Sequence, residues 1–147
     1  MMRFNPTTPV QFYAKESEYV SGQGMIETWN LVKSGEYNTF YCDWQGTYGD
    51  RAISAEALGV RDSATIRTFY NPTIYEKLRR VQVLVIKNAD STAMTCEKAE
   101  EGEEPIENPK CEPDKNNPNL YELWGGVDNV REENQFMEFR VRRYEGI

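Results

Sequence analysis

Short stretches of alternating apolar and polar residues recur along the chain and predict a succession of β-strands. In PVQFYAKES, Val10, Phe12 and Ala14 alternate with more polar neighbours, as expected of a strand that buries one face. The glycine-rich turn VSGQGM follows. ETWNLVK and YNTFYCDW, which Ser34-Gly35 separates, are rich in β-branched and aromatic residues. They predict two further strands.

The second half of the chain continues this pattern. ATIRTFY predicts a strand that ends at Asn71-Pro72. The nearly continuous apolar run from Val81 to Ile86 predicts a central strand that is buried on both faces. YELW and FMEFRVRRYE predict the last two strands, joined by a turn across Gly125 to Gln135 whose glycines allow a tight reversal.

Two long segments interrupt the strands. Between Gln45 and Ser63, glycines break the strand pattern, and Asp50 and Gly59 are suited to cap a helix of about two turns over RAISAEAL. The segment from Glu97 to Pro118 is acidic, contains prolines and is nearly free of apolar residues. Such a composition predicts a flexible, solvated loop at 97–118 with no structure of its own.

Length and charge limit the possible functions. At 147 residues the chain is predicted to form a single domain, 1–147. About six to seven short strands with one short helix predict an all-β sandwich or barrel. The formal net charge of −7 disfavours binding to nucleic acid and to anionic membranes. Neither a signal peptide nor an apolar run of membrane-spanning length is predicted.

The cysteine content indicates a reducing compartment. Cys42, Cys96 and Cys111 are odd in number and widely spaced, which predicts free thiols, with a Cys96–Cys111 bridge across the acidic loop as the alternative.

The search for chemistry predicts no catalytic, cofactor-binding or metal-binding residues. The chain has no histidine, which removes the commonest general base and metal ligand. Asp128, Glu132 and Glu133 do not have the spacing of a calcium loop. An enzyme that uses paired carboxylates is therefore the weakest hypothesis.

Aromatic residues on the predicted strands leave a second hypothesis open, an oligonucleotide-binding barrel that stacks bases. The acidic balance favours core packing instead. These aromatic residues are Phe12, Tyr13, Trp29, Phe40, Tyr41, Trp44, Phe69, Tyr70 and Trp124.

Basic residues form two groups, one at Lys77, Arg79 and Arg80 and one near the C-terminus. In the last predicted strand Met137, Phe139 and Val141 share the inward face. The outward face carries Glu138, Arg140 and Arg142, with Arg143 following. This stripe suits either an interface, where arginine pairs with carboxylates, or a solvated strand face.

Four segments, in order, carry a resemblance to a known family: DWQGTYGDRAISAEALGV, ATIRTFYNP, RRVQVLVIKNADS and NLYELWGGVDNVREENQFMEFRVRRYEG. The first has a tryptophan at a strand end, a glycine-bearing turn and a small-residue helix. The second has an arginine, Arg67, followed closely by an aromatic residue. The last resembles a final hairpin. Together they resemble the head–tail joining, or head-closure (stopper), proteins of long-tailed phages and prophages.

The resemblance implies a small β-barrel with one short helix in a long inter-strand loop. Such a protein would be made in the bacterial cytoplasm and would form a ring at the head–tail neck of the virion. There it would close the filled head below the portal-bound adaptor and offer a docking surface to tail-completion proteins. A related adaptor or tail-completion role is the alternative.

In this family a long loop gates the DNA channel. The resemblance places the tip of that loop at Gly46, Tyr48, Gly49, Asp50 and Arg51. The predicted subunit or partner interface comprises Arg67, Arg140, Arg142 and Arg143. Viral DNA would pass through the channel without specific binding, because negative charge repels phosphates.

Overall fold

The computed structural model describes residues 4–46, 63–97, 99–104 and 111–144. Within these ranges the chain forms one nine-stranded sheet, a single α-helix and a short 3-10 turn at Val130–Glu132. The elements are β1 (Thr8–Val20), β2 (Gly24–Leu31), β3 (Phe40–Gly46), β4 (Ala64–Phe69), α1 (Pro72–Arg80), β5 (Val83–Lys87), β6 (Met94–Cys96), β7 (Cys111–Pro113), β8 (Leu120–Asn129) and β9 (Phe136–Arg143).

Six of the strands close into an antiparallel barrel in the order β1-β3-β4-β9-β8-β5, because β1 pairs with β3 on one edge and with β5 on the other. The predicted small all-β barrel is confirmed. Three further strands lie outside the barrel. Strand β2 pairs with the outer half of β1, β7 pairs with β2, and β6 pairs with β7.

Strand β5 is buried on both faces, as its apolar run predicts. Val83 and Val85 face the barrel core, whereas Leu84 and Ile86 belong to a second cluster outside the barrel. That outer cluster also contains Trp29 of β2. The added strands β2, β7 and β6 thus supply the cover that a doubly apolar strand requires.

The barrel core is packed around Phe12 and Phe139, whose phenyl rings lie 5.9 Å apart in an edge-to-face arrangement. Met137, Phe139 and Val141 are all buried, which confirms the predicted inward face of the last strand. Helix α1 contributes Ile74 and Leu78 to this core, so it closes the barrel end at which β4 finishes.

Helix α1 was not predicted, although its sequence carries the signals. Asn71 ends the strand as expected, but its side-chain Oδ1 also accepts hydrogen bonds from the backbone N–H groups of Thr73 (3.0 Å) and Ile74 (3.3 Å). Pro72 then occupies the first turn, where its missing N–H is harmless. The helix predicted over RAISAEAL falls at 51–58, outside the described residues.

The predicted role of the C-terminal glycines is wrong. Strand β8 runs through Gly125 and Gly126, and its register with β9 shifts between Leu123 and Val127. Gly125 has a φ of +86°, so it serves a β-bulge rather than a hairpin reversal. The reversal lies further on, between Asn129 and Phe136.

The prediction of free thiols is wrong for two of the cysteines. Cys96 and Cys111 face each other on β6 and β7 and form a disulfide. Cys42 is free and buried. Burial, with a smaller contribution from Asp43, raises the pKa of the Cys42 thiol to about 12, so this thiol is a core group rather than a nucleophile.

The disulfide also changes the picture of the acidic segment. Cys111–Pro113 forms β7, so the predicted absence of structure is wrong there. Glu100 to Glu104 is exposed, in keeping with a solvated stretch.

Candidate interaction surface

An exposed row of aromatic side chains crosses the outer surface of β3, β4 and β9. Phe69 faces Phe136 across the β4–β9 pair, and Tyr41 lies one position beyond the Cys42–Thr68 pair on β3. Phe4, from the N-terminal segment, packs edge-on against Phe69 (5.0 Å) and Phe136 (4.9 Å). Tyr41 and Phe69 are each 58% exposed. These four residues are called the aromatic row; large apolar groups exposed together mark an interaction site.

On the outer face of the barrel, two of the predicted interface arginines are engaged within the chain. Arg67 donates from Nη2 and Nε to Glu138 Oε2, at 2.7 and 3.1 Å, and the two residues are cross-strand neighbours. Arg142 donates from Nε to Glu122 Oε1 at 2.7 Å. These pairs are partly exposed, so each contributes about 1 kcal/mol or less to stability.

Arg140 differs from both. It is exposed, lies opposite Thr65 on one side, and faces the β8 bulge on the other. Within the described ranges it makes no ion pair. Of the predicted stripe, Arg140 is therefore the residue best placed to meet an external carboxylate. Arg143 is half-buried and faces Tyr121.

The residues predicted for the gating loop are described only in part. Gly46 ends β3 and pairs with Ala64 at the start of β4. Tyr48, Gly49, Asp50 and Arg51 lie outside the described residues.

The other basic group, on the last turns of α1, makes ion pairs within the chain, with two carboxylates for its three cations. Lys77 donates to Glu16 Oε1 at 2.7 Å. Arg79 and Arg80 contact the two oxygens of Glu76, at 3.4 and 3.0 Å. This group is thus part of the helix surface rather than a free basic patch.

A hairpin arm projects from the barrel, and sequence analysis missed it. Strand β5 pairs with β1 only as far as Ala14, so the outer halves of β1 and β2 pair only with each other in the described structure. Residues 17–27 are called the arm. Its tip carries Tyr19 and Met25, which are cross-strand neighbours and 71% and 65% exposed. The glycine-rich turn was a visible signal, but where pairing with the barrel stops is a tertiary property.

Polar contacts attach the base of the arm to the body. Glu16 accepts hydrogen bonds from Lys77 and, at 3.0 Å, from Asn30 Nδ2. The hydrogen bond from Lys77 is the main reason that the pKa of Glu16 is lowered. Lys15 bridges to Glu27 at 3.0 Å and lies over the Trp29 indole. The arm therefore leaves the barrel in a defined direction.

One further polar cluster is structural. Asp90 Oδ1 accepts from Thr92, through its backbone N–H at 2.9 Å and its hydroxyl at 2.6 Å. Asp90 Oδ2 accepts from the amides of Asn117 and Asn119, at 3.1 and 3.0 Å. The cluster ties the loop after β5 to the loop before β8. These donors, the Thr92 hydroxyl first, hold the pKa of Asp90 well below its usual range.

Replacing Asp90 with asparagine is expected to lower the melting temperature at neutral pH, because an amide NH2 would then face the donors of Thr92, Asn117 or Asn119. A carboxyl whose pKa is depressed by folding stabilises the protein above its unfolded pKa, and this stabilisation falls as pH drops toward the folded value. The difference between variant and wild type should therefore narrow below about pH 4. Thermal melts at a series of pH values measure it.

Asp114→Asn is the matched control, because Asp114 lies in the same region and its side chain accepts a backbone hydrogen bond from Asn116. It should cost less stability at neutral pH. A deficit for Asp90→Asn that stays constant from neutral to acidic pH would contradict the assignment.

The aromatic residues considered for base stacking differ in exposure, and Phe40, Trp44, Tyr70 and Trp124 are half-buried. Phe12, Tyr13 and Trp29 are buried in the two cores. Tyr41 and Phe69 are exposed, but the nearest arginine on their surface, Arg67, is paired with Glu138. Among the described residues, the aromatic row therefore has no adjoining positive groove of the kind that single-strand binding requires.

No group of three or more potential metal ligands occurs among the described residues. In the same part of the chain, no helix has the length and apolarity needed to cross a membrane. Comparisons with protein-family models, with curated proteins and with solved structures found no match. The function must therefore be argued from the surfaces just described.

Proposed function

We propose that this chain is a structural virion protein of the head-closure type, which forms a ring at the neck of a long-tailed phage and performs no catalysis. The ring would close the DNA-filled head below the portal and its adaptor and would provide the surface on which the tail docks.

The observation that carries the proposal is the position of one long insertion in the barrel. Residues 47–62 leave β3 after Gly46 and return just before β4, whose Ala64 pairs with Gly46. The paired Gly46 and Ala64 lie at the barrel end opposite to the one that α1 closes. Functional segments are commonly the connections between strands of a rigid scaffold, which supports a gating role for the chain that joins β3 to β4.

The surfaces of the barrel support protein partners. The aromatic row and the arm tip expose four large side chains: Tyr19, Met25, Tyr41 and Phe69. Large aromatic residues and methionine are enriched at protein interfaces. The net charge of −7 suits a protein beside a DNA channel, since like charge keeps phosphates from adhering.

Replacing residues 47–63 with an Asn-Gly turn tests the proposal. The barrel should fold normally, because Gly46 and Ala64 are paired and a two-residue connection suits adjacent antiparallel strands. The variant should still bind portal-containing heads, but filled heads carrying it should lose their DNA. Head binding is measured by co-sedimentation, and DNA retention by nuclease sensitivity.

Replacing the exposed residues 100–104 with a Gly-Ser stretch of equal length is the control, and it should leave retention intact. A wild-type protein that does not bind portal-containing heads would refute the connector function. Binding with unchanged retention would refute only the gating role. Binding to single-stranded oligonucleotide that weakens with salt would favour the oligonucleotide-binding alternative.

A further inference from the structure

We propose that the arm of one copy of this chain docks on the aromatic row of a second copy, in a head-to-tail contact. The inference deepens the proposed function, because the ring geometry that it explains rests on that function. It is carried by the chemistry of the two patches and by their places on the barrel.

The arm is built as a donor of apolar contacts. Tyr19 and Met25 form its outermost side-chain pair and are largely exposed. A two-stranded ribbon is marginally stable alone, and its unpaired edges invite contact with another chain. Burial of the tip against a partner would stabilise the ribbon by removing its apolar side chains from water.

The aromatic row is a matching acceptor. Tyr41 and Phe69 present exposed aromatic surface, and Phe4 and Phe136 support Phe69 from the side. Aromatic surface suits both tyrosine, through edge-to-face contacts, and methionine, through sulfur–aromatic contacts. The arm tip thus carries the side chains that such a row accommodates.

Opposite charges flank the two patches. The arm carries Glu18 and Glu27, both exposed. Arg140 lies on β9, four residues after Phe136 of the aromatic row. Within the described ranges neither Glu18 nor Arg140 makes an ion pair, so each retains its full charge for a partner. Complementary charge favours association of a second copy over unrelated acidic proteins.

The positions of the patches favour a head-to-tail contact over a symmetric one. In the barrel order, β9 is three strands from β1 in either direction, so it lies on the opposite wall. The aromatic row begins on β3, the neighbour of β1, and extends across β4 to β9, whereas the arm leaves from β1, so the two patches do not overlap.

Both patches lie toward the barrel end that α1 closes, because Ala14, Phe69 and Phe136 are all at that end of their strands within the barrel. Contact between two different, non-overlapping patches is head-to-tail, and it generates a closed ring when the rotation that relates successive copies closes.

Complementation between two variants tests the inference. The arm variant is Tyr19→Ser with Met25→Ser, and the face variant is Tyr41→Ser with Phe69→Ser. All four side chains are more than half exposed, so both variants should keep the wild-type fold. Light scattering across a concentration series should show assembly of the wild type and monomers for each variant alone.

Mixing the two variants gives the decisive measurement. The arm variant keeps the wild-type aromatic row, and the face variant keeps the wild-type arm. The arm of the face variant should therefore dock on the row of the arm variant, and this single contact should give a dimer with twice the monomer mass. Arg140→Glu is a second face variant, with the aromatic residues intact, and it should dimerise with the arm variant in the same way. Tyr37→Ser, at an exposed tyrosine outside both patches, should assemble like wild type.

A monomeric wild type, or variants that assemble like wild type, would overturn the inference. A mixture that remains monomeric would overturn the head-to-tail geometry. Head binding by the wild type separates the two proposals. If it binds heads but does not assemble through the arm, only this inference fails. If it assembles as expected but binds no heads, only the proposed function fails.

Discussion

Replacing Phe139 with alanine is expected to lower the free energy of unfolding by about 3–5 kcal/mol. Phe139 is 2% exposed and lies on the inward face of β9. It packs against Phe12 from the opposite wall of the barrel. The barrel is a closed sheet, so neighbouring strands cannot move inward to fill the cavity without disturbing their pairing. Chemical denaturation monitored by tryptophan fluorescence measures the loss.

Phe69→Ala is the matched control, because it makes the same change on the outer face of the barrel at a side chain that is 58% exposed. It should cost about 0.5–1.5 kcal/mol, from its lost contacts with Phe4 and Phe136. Equal losses for the two variants would contradict the assignment of Phe139 to the core.

Replacing both Cys96 and Cys111 with serine is expected to lower stability by about 2–4 kcal/mol. The bond closes a loop with a sequence separation of 15, and breaking it frees the unfolded chain. In addition, Cys111 is buried against the outer cluster and pairs with Trp29 of β2. Loss of the bond should therefore loosen β6 and β7 and expose the outer face of β5. Denaturation with and without a reducing agent measures the effect.

The serine variant should be insensitive to the reducing agent, and reduced wild type should fall close to it. Thr95→Ser with Glu112→Ser changes the adjacent, exposed cross-strand pair and should have little effect. Equal stability of oxidised and reduced wild type would show that the bond contributes nothing.

The sequence predicted those features that depend on a single strand. The alternation around Met137, Phe139 and Val141 is local, so it revealed which face of β9 is buried. The apolar run of β5 likewise indicated burial on both faces, since solvent exposure of either face would be unfavourable. Helix α1 was also readable, because its cap at Asn71 and its proline are local signals, but the strand pattern around it obscured them.

The candidate interaction surface was predicted only in part, because it depends on strand register. Composition showed that arginines were present, but the pairing of Arg67 with Glu138 joins residues 71 positions apart. The same register gives Arg67 and Arg142 a carboxylate partner but gives none to Arg140 in the described structure. Cys96 and Cys111 are brought together by the pairing of β6 with β7, which an odd cysteine count does not reveal.

By itself, the sequence determined that the chain forms short strands with defined inward faces, because apolar periodicity depends only on neighbouring residues, and it left a sandwich or a barrel open. Only the tertiary structure decided that Tyr41, Phe69 and Phe136 share one exposed row, and that Tyr19 and Met25 stand clear of the barrel. Those outcomes follow from which strands become neighbours and where their pairing stops. These are properties of long-range contacts, whose free energy depends on the whole closed sheet.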